Sequence, residues 1–122
     1  MIQITEDYVS FEVAKLLKEK GFDERCYKKY NSNGDLFDST EFTYGPKAPT
    51  IQMAMKWLRE IYDLHIIAYP WRANKEERAT HWCCQVYKSF NLLGYEKYTN
   101  ETPKSYEEAC EAAIKYSLEN LI

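Results

Sequence analysis

The stretch Thr50–Trp71, TIQMAMKWLREIYDLHIIAYPW, constrains the fold more than any other part of the chain. Ile51, Ala54, Trp57, Leu58 and Ile61 recur at helical spacing, with Lys56, Arg59 and Glu60 on the opposite side. Pro49 cannot continue a preceding element, and Thr50 can cap the first turn, so the spacing predicts a helix from there. Leu64 to Tyr69 then changes to strand character, with two consecutive isoleucines and an aromatic, and Pro70 is expected to stop it. A helix that runs straight into the most apolar strand leaves the other elements to be laid against that unit.

Two more helices frame it. Ser10 to Gly21 reads as the first, with Ser10 as N-cap and Gly21 as the left-handed residue that ends it. Phe11, Ala14 and Leu17 form its buried stripe, and Phe22 can fold back on the last turn. The last helix starts at a capping-box pattern, Ser105-Tyr106-Glu107-Glu108, in which Ser105 serves the Glu108 amide and Glu108 reaches back. Its stripe is Tyr106, Cys110, Ala113, Ile114, Leu118 and Leu121. Glu111 and Lys115 are spaced to pair on the outer side.

Strand signals fill the gaps. Arg25 to Asp38 reads as a hairpin whose loop is Asn33-Gly34, which would set Tyr30 against Phe37 and Lys29 against Asp38. His81 to Lys88 is the partner of the central strand, joined to it by the charged connection 72–79. Gly94 to Tyr98 could add a short edge strand. The order predicts an α+β fold: one domain over residues 1–122, with three helices on an antiparallel sheet of four to five strands in the order α-ββ-α-ββ-α. At 122 residues the chain can bury a core of its own without disulfide or metal staples.

Charge and composition narrow the function classes. Lys and Arg number 16 against 19 Asp and Glu, for a net charge of −3 with no basic half, so no broad field favours nucleic acid or an anionic membrane. No apolar run reaches the ~18 residues of a membrane span, and the start MIQITEDY has no signal-peptide pattern, so a cytoplasmic chain is expected. Cys26, Cys83, Cys84 and Cys110 are then expected to be free thiols, read most simply as small buried hydrophobes. What stands out is aromatic content: 16% of residues, with 11 Tyr and 3 Trp.

No catalytic constellation is legible. There is no nucleophile motif around any Cys or Ser, and four glycines make no phosphate loop. His65, His81 and Cys83, with Cys26 more distant, are the only metal candidates. No close pair has a familiar ligand spacing, so no metal and no cofactor are expected. Nucleic acid is the alternative partner: Tyr27-Lys28-Lys29-Tyr30, Trp71-Arg72, Tyr87-Lys88 and Lys97-Tyr98 interleave aromatics and cations as single-strand binders do.

The runs VSFEVAKLLKEKGFD, MAMKWLRE and SYEEACEAAIKYSLENLI resemble those of small uncharacterised proteins of phages and prophage-like elements of gut bacteria. The resemblance spans the three helices and touches the strands loosely. It implies a phage-derived, cytoplasmic protein and carries over no catalytic residue.

The reading that remains is a non-enzymatic protein-interaction module. In the central hairpin Ile66, Ala68, Trp82, Cys84 and Val86 are expected to meet the helices, because that set has no ionisable side chain. The opposite face then presents His65, Ile67, Tyr69, Trp71, His81 and Tyr87, with Arg72 at its end. Such a patch is expected to be covered by the first hairpin's loop or by another chain, with a homodimer slightly favoured.

Overall fold

The computed structural model describes residues 3–39, 45–71, 81–89, 91–92 and 103–122. The element order is α1 (Phe11–Glu19), β1 (Lys28–Tyr30), β2 (Leu36–Asp38), α2 (Ile51–Tyr62), β3 (Leu64–Trp71), β4 (His81–Lys88), β5 (Asn91–Leu92) and α3 (Tyr106–Asn120).

The three helices among the described residues begin where a side-chain oxygen can accept an otherwise unpaired amide. Ser10 accepts from Val13, Thr50 from Met53 and Ser105 from Glu108, at 3.1–3.2 Å. The capping box is closed one residue early: Glu108 Oε2 accepts from the Lys104 amide at 2.8 Å, not from that of Ser105. At the end of α1 the Phe22 amide donates to Leu17 and the Gly21 amide to Lys18, with Gly21 at φ 92°. Phe22 is thereby folded under the helix and buried.

The α+β class holds, but the strands form two antiparallel sheets instead of one: β1-β2, and β3-β4-β5. Residues 46–48 occupy the second edge of β1. The Tyr30 amide donates to Pro46, and the Ala48 amide donates to Lys28. No edge of β1 is left for β3.

The hairpin register is one residue away from the expected one. Lys28 pairs with Asp38, Lys29 with Phe37 and Tyr30 with Leu36. Asn31 decides this, because its Oδ1 accepts from both the Asn33 and Asp35 amides at 2.9 Å. Its own amide donates to Asp35, so the loop is Ser32-Asn33-Gly34, with Gly34 at φ 85°. Three-residue loops of this kind place a glycine in the left-handed region.

β3 does not stop before Pro70: Pro70 pairs with Trp82 and Trp71 with His81. The Trp82 amide points the other way, donating to Pro103 at 2.8 Å. Pro70 therefore sits in a pair without β3–β4 hydrogen bonds, where its missing N–H would have faced away from β4. The expected strand over 94–98 lies outside the described residues, and the short β5 pairs Leu92 with Tyr87.

One cluster joins the layers. α3 lies across β3 and β4, while α1 and α2 pack against α3 and α2 also meets β3. Ile66, Cys84 and Val86 belong to this cluster, and Ala68 and Trp82 pack against it, so the inner face is the expected one. In α2 the stripe differs at one end. Met55 is buried and Ile61 is 59% exposed. Ile61 falls in the last turn, where Phe22 and Tyr62 take the space beside Trp57 in edge-on contacts of 5.3 and 5.2 Å. Among the described residues, no helix is long and apolar enough to cross a membrane.

Candidate functional site

The face of β3–β4 turned from the helices follows from the pairing. His65 stands opposite Tyr87, Ile67 opposite Gln85, and Tyr69 opposite Cys83, on the side away from Ile66 and Val86. Trp71 pairs with His81 at the far end of the ladder, and Arg72 lies outside the described residues. Ile67, in mid-strand, is 49% exposed. Beside it the Tyr87 hydroxyl donates to Gln85 Oε1 at 2.9 Å. His65 Nε2 lies 2.8 Å from Asp63 Oδ1. The face is not uniformly open. Cys83 is buried, and Tyr69, His81 and Gln85 each have interaction partners. The open part centres on Ile67 and His65.

The first hairpin's loop does not cover this face. A Cβ on Gly34 would stand 3.0 Å from the Phe11 ring, so the loop sits against α1, on the helical side.

The metal candidates do not converge. His65 pairs with Tyr87, six residues along β4 from His81, which is roughly 20 Å at the rise of a strand. Among the described residues no group of three or more His, Cys, Asp or Glu could hold an ion. All four cysteines are free. Burial pushes the Cys26 and Cys110 thiols above their ordinary pKa, which lowers the thiolate population a nucleophile would need.

The two aromatic–cation runs that lie wholly among the described residues are in different sheets. Lys28–Tyr30 is in β1 and Tyr87-Lys88 in β4. Tyr30 is turned inward: its ring packs tilted against Phe11 at 5.4 Å and its hydroxyl donates to the Val9 carbonyl at 2.6 Å. Lys28 is ion-paired with Asp38. Lys97-Tyr98 lies outside the described residues.

A second concave region has no signature in the local sequence patterning. Glu6, Asp7, Glu107, Glu108 and Glu111 line an open groove of about 510 Å³, together with Tyr8, Tyr30 and Ile51. Two of the five carboxylates already serve main-chain amides. Glu111 Oε1 accepts from Ser10 at 2.7 Å, and Glu108 accepts from Lys104. The expected Glu111–Lys115 pair is replaced accordingly: Lys115 Nζ lies 2.9 Å from Glu12 on α1 and 3.9 Å from Glu119. The doubled acids Glu6-Asp7 and Glu107-Glu108 are visible in the sequence, but nothing local says that they meet.

No family model, curated protein or solved structure matches the chain.

Proposed function

We propose that the chain is a small, non-enzymatic protein-interaction module of phage type, acting in the cytoplasm through the outer face of β3–β4. The observation that carries this reading is Ile67, an aliphatic side chain half in water at the middle of an antiparallel ladder. It is flanked by the half-buried aromatics Tyr69 and Tyr87 and by His65. Tyr is among the favoured interface anchors, and a β-branched Ile, stiff at χ1, loses little side-chain freedom when it is covered. The partner is another protein or a second copy of the chain, the homodimer being the simpler case.

Light scattering and pull-down from the lysate of the natural host test this together, on wild type, Ile67→Asp and Tyr87→Asp. The expected outcome is self-association or one reproducible partner for wild type, lost in both variants while their circular dichroism stays native. A wild type that is monomeric and retains nothing overturns the reading. So does turnover of a substrate abolished by a single point substitution. Binding to a single-stranded oligonucleotide that weakens with salt and is untouched by Ile67→Asp would replace it with the nucleic-acid alternative.

A further inference from the structure

We draw no further inference here: the strongest candidate, the open groove between residues 6–8, β2 and the first turn of α3, is a cluster of carboxylates, two of them already bonded to main-chain amides, and nothing among the described residues points to a ligand for it.

Discussion

The Ser89 hydroxyl donates to Asp63 Oδ2 at 2.6 Å, and this contact joins the two non-glycine residues with positive φ among the described residues. Asp63 (φ 56°) ends α2, and Ser89 (φ 53°) begins the turn from β4 to β5. Leu64 and Lys88, their neighbours, form the terminal pair of the β3–β4 ladder. The hydrogen bond thus closes that end of the ladder between two residues in backbone conformations that L-amino acids seldom adopt.

This closure is expected to weaken in acid. The Ser89 hydroxyl, followed by His65, holds the Asp63 carboxyl below the usual carboxylate pKa. A depressed folded-state pKa contributes stability that is fully present above the unfolded value of about 3.9 and is lost as pH falls through the lower folded value. Denaturation midpoints of wild type and Asp63→Asn should therefore differ at pH 5, and the difference should shrink as pH falls below the ordinary carboxylate range. A difference that does not vary with pH would mean that the Asp63 charge plays no part.

Gly34→Ala should be harmful for two separable reasons. Its φ of 85° disfavours any L side chain, at roughly 1–2 kcal/mol. The new Cβ would also meet the Phe11 ring at 3.0 Å. Gly21→Ala has a similar φ and nothing within 4 Å, so it isolates the first effect. In a Phe11→Leu background the Gly34→Ala penalty should shrink, while that of Gly21→Ala stays constant. Equal behaviour of the two would remove the Phe11 contact as a cause.

Ser105→Ala should destabilise the protein by about 1 kcal/mol, through loss of the oxygen that accepts the Glu108 amide. Chemical denaturation reads this directly. An unchanged midpoint would show that the Glu108 bond to Lys104 suffices to start α3.

The two ends of the α2 stripe should respond very differently. Leu58 is completely buried, and Leu58→Ala is expected to cost about 2–5 kcal/mol as a cavity forms. Ile61→Ala should stay within about 0.5 kcal/mol, because the side chain stands mostly in water. Comparable losses would place Ile61 in an interface that the isolated chain does not contain.

That contrast shows which features could be read from the residues alone. The helix starts were legible because a cap is local: Ser10, Thr50 and Ser105 each reach an amide three residues ahead. The inner face of β3–β4 was legible because alternation separates Ile66, Cys84 and Val86 from the histidines. Ile61 was misplaced because helical spacing marks a stripe without saying where its neighbours end. The hairpin register depended on which groups the Asn31 side chain would accept, a choice that strand patterning does not encode. The division into two sheets accompanies the return of residues 46–48 to β1, and the acidic groove depended on residues about a hundred positions apart. As for the candidate site, its members on β3 and β4 were legible by alternation. Which of them would stand open was not, since Cys83 is buried on the same face that exposes Ile67.

α1 has nine residues, too few to persist alone in water. The amide of its N-cap Ser10 donates to Glu111, and the Lys20 side chain just past its last turn donates to the main-chain oxygen of Ile122. Those partners lie 101 and 102 positions further on. During synthesis, then, α1 is made well before the residues that anchor its two ends. Until α3 is made, the stripe of Val13, Ala14 and Leu17 lacks the helix that α1 packs against.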